Sequence, residues 1–247
     1  MAFSCCVCVD AESIFKRNGR VKHLSLFDPD KNLPSRAAAI AFKMEKEGTD
    51  GILIGGSDSL HSEIIRKTVA SVKRRVKLPV IQIIRDSSEI TKYADAVLVP
   101  LVLNSYDSSY CIGIAMGAIH VLKALEVPCI PIGYILIGSP STASFVTKSI
   151  PVPTTRPKVI RQLAIGAEGM GLKALYLEGG SRSSKPVPPA FIEEAAQSTK
   201  FPIIVGGGIR DNRSVMAAVR AGADIIVTGS IIEETGTIRG LFNGAER

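Results

Sequence analysis

The sequence predicts an α/β protein of the (β/α)8, or TIM-barrel, class, with an irregular third β/α unit. Three observations predict it. Eight short, nearly continuous apolar runs recur along the chain, amphipathic stretches separate most of them, and the runs end in glycine and small polar residues. Runs that are apolar at every position suit parallel strands buried on both faces, and their alternation with helices suits a sheet closed on itself. The 247 residues are read as one barrel domain, 1–247.

The strand candidates, in order, are "VKHLSLF" (21–27), "GILIGG" (51–56), "PVIQII" (79–84), "AVLVPL" (96–101), "PIGYILIG" (131–138), "ALYLEGG" (174–180), "PIIVGGG" (202–208) and "DIIVTGS" (224–230). The helix candidates between them are "SRAAAIAFKMEKEG", "SEIIRKTVASVKRR", "GIAMGAIHVLKALE", "KVIRQLAIGAEGMG", "PAFIEEAAQS" and "DNRSVMAAVRAGA". They carry apolar residues three and four apart, and glycine often closes them. Only "RDSSEITKYA" separates the third strand from the fourth, too short for a covering helix, so a helical turn or an extended strap is expected there. "GIAMGAIHVLKALE", with Gly113, Ala115, Gly117 and Ala118, fits a tightly packed core helix or a subunit contact, and the core reading is preferred. The segment from Ser139 to Pro157 lacks a clean pattern; it is a lid or a solvated connection with some helix.

Composition narrows the function. Hydrophobic residues make up 46% and charged residues 21%, as in a folded domain with a large core, and no apolar run is long enough to span a bilayer. The start "MAFSCCVCVDAE" lacks the pattern of a secretory leader, so a cytoplasmic location is expected. The five cysteines, three at Cys5, Cys6 and Cys8, match no zinc spacing and are read as reduced thiols. Thirty Lys and Arg against 23 Asp and Glu leave +7, which favours anionic partners. Nucleic acid is not expected: aromatics are 5%, tryptophan is absent and no stacking motif appears.

In such barrels the informative residues stand where each strand stops. "GGGIRDN" and "TGSII", after strands seven and eight, read as a phosphate cradle, because a backbone without Cβ can approach an anion closely. "FDPDK" offers Asp28 and Asp30 around Pro29, as a metal-facing carboxylate or as helix caps, and Ser57 supplies a neighbouring hydroxyl. Glu178, inside the apolar "YLEGG", must be hydrogen-bonded, serve a ligand, or pair with Arg182, Arg210 or Lys31. Asn104 and Ser105 are ligand contacts or turn residues, and Lys31 stands too far into its loop for a Schiff base. His23, His61 and His120 have no metal spacing and are read as surface or core residues.

Taken together, "HLSLFDPDK", "TDGILIGGSDS", "YADAVLVPLVLNS", "IPIGYILI", "YLEGGS", "PIIVGGGIR" and "AGADIIVTGS" resemble the geranylgeranylglyceryl phosphate synthases and their bacterial PcrB-type relatives, over roughly residues 21–232. The resemblance implies a TIM barrel that joins geranylgeranyl diphosphate to the 3-hydroxyl of sn-glycerol 1-phosphate, releasing pyrophosphate, with Mg2+ as cofactor. It also implies Asp28 and Ser57 as the metal pair. Tyr176, Leu177, Glu178, Gly179, Gly180, Ser181 and Arg182, with Gly207, Gly208, Gly229 and Ser230, would form the glycerol-phosphate site. Glu178 would orient the attacking hydroxyl and take its proton. Membrane proximity and a homo-oligomer complete the expectation.

The chain departs from the family pattern where Gly179 replaces alanine, Arg182 replaces glycine and Ser230 replaces asparagine. Ile84, Arg85 and Asp86 stand where "FPG" is usual, and Arg85 there meets the diphosphate or pairs near Asp86. Three other readings remain: a longer, heptaprenyl-type donor, a sugar-phosphate isomerase or lyase on the same barrel, and a non-catalytic phosphate binder. Two carboxylates at an anion site argue against the last.

Overall fold

The computed structural model describes residues 11–56, 62–180, 183 and 185–245. Within them the sheet closes in sequence order through β1 (Lys22–Phe27), β2 (Gly51–Ile54), β3 (Val80–Ile83), β4 (Ala96–Val102), β5 (Cys129–Leu136), β6 (Ala174–Glu178), β7 (Ile203–Gly206) and β8 (Ile225–Thr228). Every neighbouring pair is parallel, including β8 with β1. The (β/α)8 expectation therefore holds, with strand ends shifted by one to a few residues as the polar tips peel away into loops.

Helices α1 (Pro34–Lys46), α2 (Ser62–Lys73), α3 (Ile114–Leu125), α4 (Thr142–Val146), α5 (Lys158–Gly169), α6 (Pro189–Ser198), α7 (Asn212–Ala221) and α8 (Ser230–Thr235) follow the strands. Side chains that alternate along the strands make two cores. Leu24, Leu53, Ile81, Leu98, Ile132 and Ile204 fill the barrel, while Phe27, Ile52, Ile54, Val97, Leu175 and Val205 meet the helices outside it. At the foot of the barrel a 3-10 turn, Ala11–Phe15, inserts Ile14 and Phe15 into the inner core.

The third unit is irregular as its length requires. A 3-10 turn, Ser87–Glu89, stands where a covering helix would, with the Asp86 side chain accepting from the Ser88 N–H. Gln82, fully buried on β3, fastens the strap: its amide nitrogen, Nε2, donates to the Glu89 carbonyl at 2.6 Å and its Oε1 accepts from the Thr91 N–H at 3.2 Å. Here hydrogen bonds do the covering that apolar contact does elsewhere in the ring.

The core reading of α3 needs correction. Ala115, Ala118 and Leu122 are buried against the sheet, but Gly113 and Gly117 are exposed, as are Met116 and Ile119. The small residues do not form one packed row, because helical rotation turns the two glycines away from the barrel. The 139–157 segment is a connection with some helix. Ser141 and Ser144 cap α4 reciprocally, and Asn104 ties the segment down by donating to the Leu136 and Ile150 carbonyls at 2.9 and 2.8 Å. Ser105 donates to the Thr147 carbonyl at 2.7 Å, so both polar residues after β4 serve the loop. Cys111 and Cys129 are free thiols. No helix among the described residues is long and apolar enough to cross a membrane.

Two ionisable groups of β1 are buried. Lys22 donates from its ammonium to the carbonyls of Ser13, Ile14 and Lys16 at 2.7, 2.9 and 2.8 Å, and loss of hydration lowers its pKa. His23 contacts the Phe242 ring at 4.5 Å and meets the Thr228 hydroxyl through Nε2 at 2.8 Å. Burial pushes its pKa down to about 3, so it is neutral in the folded protein. His120 is exposed on α3, whereas His61 lies outside the described residues.

Candidate active site

β6 directs Tyr176 and Glu178, two residues apart, to the inside of the barrel. Tyr134 of β5 is in register with Tyr176, and the rings meet edge to face at 5.0 Å and 72°. The Gly180 N–H donates to Glu178 Oε1 at 2.7 Å. Burial raises the Glu178 pKa, while the Gly180 N–H and the neighbouring Tyr176 and Tyr134 hold the rise in check. Burial and the adjacent carboxylate raise both tyrosines well above the usual phenol value, so they remain donors.

The glycines of the next strand explain how so much fits. Glu178 is paired in register with Gly206, where a Cβ would lie 2.3 Å from the Tyr176 hydroxyl. At Gly207, with φ +83°, a Cβ would stand 2.5 Å from Glu178 Oε1. The expectation of glycines serving a ligand alone is thus incomplete: part of the room they leave is taken by the protein's own tyrosine and glutamate.

The three proposed ion-pair partners of Glu178 resolve differently. Arg210 pairs with Glu234 at 2.6 Å, Lys31 with Asp28 at 3.3 Å and Glu233 at 3.0 Å, and Arg182 lies outside the described residues. Among the described residues neither Arg210 nor Lys31 pairs with Glu178, and the neutral Gly180 N–H donates to it.

One cavity at the carboxyl end of the strands gathers most of the expected site. Asp28, Tyr176, Glu178, Gly180, Gly207, Gly208, Gly229 and Ser230 line it. Leu177 does not: it is fully buried on the opposite face of β6, among the residues that meet the helices. Gly179 packs beneath the lining, where a Cβ would stand 3.3 Å from the Gly207 carbonyl. Ser57, Ser181 and Arg182 lie outside the described residues.

The cavity has two characters. Across from the polar ends of β6, β7, β8 and β1, its wall is Ile83, Ile84, Pro100, Val102, Ala143 and Val146. Arg85 stands at that side and pairs with Glu89 at 2.7 Å, in the short turn that Asp86 caps, as the expectation of a pair near Asp86 has it. Tyr134 and the α4 residues were not among the residues singled out from the sequence. A tyrosine in the otherwise apolar "IPIGYILI" was the available signal, but its height relative to Glu178 depends on strand register.

For a metal, no group of three or more His, Cys, Asp or Glu among the described residues is placed to share one ion. Asp28 is 6% exposed and lines the cavity, with Oδ1 accepting from the Asp30 N–H at 3.1 Å and Oδ2 facing Lys31. A lone carboxylate fits the way Mg2+ is commonly held, by one or two carboxylates together with substrate phosphates and water.

Fold and cavity together define a (β/α)8 barrel of the kind that works at the carboxyl ends of its strands, with polar and apolar walls facing each other. Comparison with known proteins then identifies which one. The PcrB family model matches residues 16–244, and the chain belongs to the PcrB family. It is 38% identical to a geranylgeranylglyceryl phosphate synthase of Thermofilum pendens over 217 residues, covering 88% of this chain and 85% of that protein. The same enzyme of Thermococcus kodakarensis is also 38% identical, over 87% of this chain and 86% of the relative. Among solved structures, that of a Thermoplasma acidophilum (S)-3-O-geranylgeranylglyceryl phosphate synthase in complex with sn-glycerol-1-phosphate superimposes with a TM-score of 0.84 at 33% identity, covering 93% of this chain and 91% of that one. The wild-type Thermoplasma volcanium protein gives a TM-score of 0.87 at 32% identity, over 92% and 93%.

Proposed function

We propose that the chain is a Mg2+-dependent prenyltransferase that joins geranylgeranyl diphosphate to the 3-hydroxyl of sn-glycerol 1-phosphate and releases pyrophosphate, in ether-lipid synthesis. Likeness to the archaeal synthases over nearly the whole chain supports the reaction class. The observation that carries the reading is a buried glutamate, accepting from the Gly180 N–H, on a cavity with one polar and one apolar wall. That amphiphilic shape suits a polar acceptor and a hydrocarbon donor together.

In the reaction, the bond between the donor's allylic carbon and the diphosphate oxygen breaks, and the 3-hydroxyl oxygen of glycerol phosphate bonds to that carbon. Pyrophosphate carries away the electron pair. Glu178 accepts the hydroxyl proton, a role that a carboxylate with a raised pKa performs better than an ordinary one. Tyr176 and the backbone from Glu178 to Arg182 hold the acceptor, and Gly207, Gly208, Gly229 and Ser230 surround its phosphate. Asp28, with Ser57, would hold Mg2+. Bound there, the ion would neutralise the leaving diphosphate. The apolar wall excludes water and receives the prenyl chain, with Arg85 at its edge.

The test is incubation of the purified protein with Mg2+, sn-glycerol 1-phosphate and prenyl diphosphates of graded length, with products read by mass spectrometry. Geranylgeranylglyceryl phosphate is the expected product, with longer donors slower. No product from any donor, in folded protein, would return the sugar-phosphate reading to first place.

A further inference from the structure

We propose that Arg85, clasped by Glu89, is a donor-binding residue whose guanidinium takes the diphosphate of the prenyl donor where the apolar wall of the cavity meets the polar one. The inference rests on the transferase reading above. The diphosphate is bonded to the prenyl chain, so it must sit where the apolar wall begins. Arg85 stands there. It lies two residues past Ile83, on the inward side of the β3 alternation, and lines the cavity with Ile83 and Ile84. Phe27, Ile54 and Gln82 are in register, so Asp28, Gly55 and Ile83 follow one step beyond them, side by side. Gly55 and Gly56 put no side chain between Asp28 and the end of β3, two strand spacings or about 10 Å away. A Cβ at Gly55 would lie 2.4 Å from Ile83 Cγ2, so glycine is what the packing of these strand ends admits.

Among the described residues, the cations that line the cavity are Lys31, Arg85 and Arg210. Lys31 and Arg210 are drawn to α8, through Glu233 and Glu234, which leaves Arg85 as the cation of the apolar side. Its Nη2 donates to Glu89 Oε1 at 2.7 Å and its backbone N–H to Oε2 at 3.0 Å, so one carboxylate fixes both the side chain and its root. The clasp is anchored in turn by Gln82, which donates to the Glu89 carbonyl at 2.6 Å. Glu89 is buried, and the pair therefore holds the guanidinium in place before any ligand arrives. A guanidinium carries five N–H donors in a planar fork, enough to serve a carboxylate and phosphate oxygens together.

The experiment is calorimetric titration with inorganic pyrophosphate in the presence of Mg2+, and separately with sn-glycerol 1-phosphate, for wild type, Arg85→Met and the double variant Arg85→Met/Glu89→Gln. Loss of a charge-assisted hydrogen bond should weaken pyrophosphate binding about 10- to 100-fold, while glycerol phosphate binding stays within about threefold of wild type. In turnover, KM for geranylgeranyl diphosphate rises by a similar factor and KM for glycerol phosphate does not. The double variant removes both charges of the buried pair, so it carries the test should Arg85→Met fold poorly. Three results overturn the proposal: a wild type that binds no pyrophosphate, a pyrophosphate Kd that neither variant moves, or equal weakening of both ligands, which would make the pair a brace for the strap. If the wild type binds pyrophosphate but makes no prenylglyceryl product, the transferase reading fails by itself, and the change in pyrophosphate affinity still decides what Arg85 does.

Discussion

Lys22 at the foot of β1 and Glu178 at the head of β6 are charged groups drawn out of water to the same degree, each 7% exposed. Desolvation pushes both toward their neutral forms, lowering the lysine and raising the glutamate. They differ in how their hydrogen bonds close. The ammonium has three protons and meets three carbonyls of the N-terminal plug, so it has nothing left to offer. The carboxylate has about four acceptor positions, takes the Gly180 N–H in one of them, and stands on a cavity. Burial of charge by itself does not distinguish structure from chemistry. The unfilled position facing open space does.

The comparison breaks most plainly at Glu178. Glu178→Gln should lower kcat by about 10²–10⁴-fold while the melting temperature moves by only a few degrees, because the amide keeps the shape and loses the base. Turnover within tenfold of wild type would mean the carboxylate is as structural as Lys22.

Lys22→Met should do the reverse. It leaves three carbonyls of the plug without a donor and should cost about 2–4 kcal/mol, or roughly 5–15 °C in Tm. Its kcat/KM and pH profile at 25 °C should match wild type, and a shifted profile would contradict a purely structural role.

His23 sharpens the comparison as a third buried group, held neutral. Its folded pKa of about 3 lies below the ordinary 6.5, so below pH 6.5 the unfolded chain binds a proton that the folded one refuses. The stability is fully present above pH 6.5 and declines by about 1.4 kcal/mol per unit as pH falls toward the folded value. Urea melts at pH 7 and pH 5 should therefore differ by about 2 kcal/mol less in His23→Gln than in wild type. Equal differences in the two proteins would show that the histidine is charged in the fold.

The smallest effect is expected at Gly179→Ala, which restores the residue usual in the family. The added Cβ would stand 3.3 Å from the Gly207 carbonyl, so a shift of a few tenths of an ångström accommodates it. Turnover within about threefold of wild type is expected. A large loss would place Gly179 in the same tight packing as Gly206 and Gly207.

Much of this molecule was legible before folding was considered. Apolar runs four to eight residues long, alternating with amphipathic stretches, are local patterns, and they determined the eight strands and most of the helices. Chain length did the same for the third unit, since ten residues between "PVIQII" and "DAVLVPL" cannot hold a covering helix. Glu178 was legible because a carboxylate inside an apolar strand demands a partner, and Asp28 because it follows a strand end.

Tertiary structure decided which partners those groups take. Arg182, Arg210 and Lys31 were the candidates for Glu178, yet Lys31 and Arg210 pair elsewhere and the Gly180 N–H donates to the carboxylate. The same holds for Asn104, which ties down a loop, and for Gly206, whose missing side chain makes room for Tyr176. The sequence by itself determined what lies along each strand, because alternation and length are properties of neighbouring residues. Which side chains meet at one height across the barrel depends on the register between strands, and that is set only when the closed sheet and its two cores pack together.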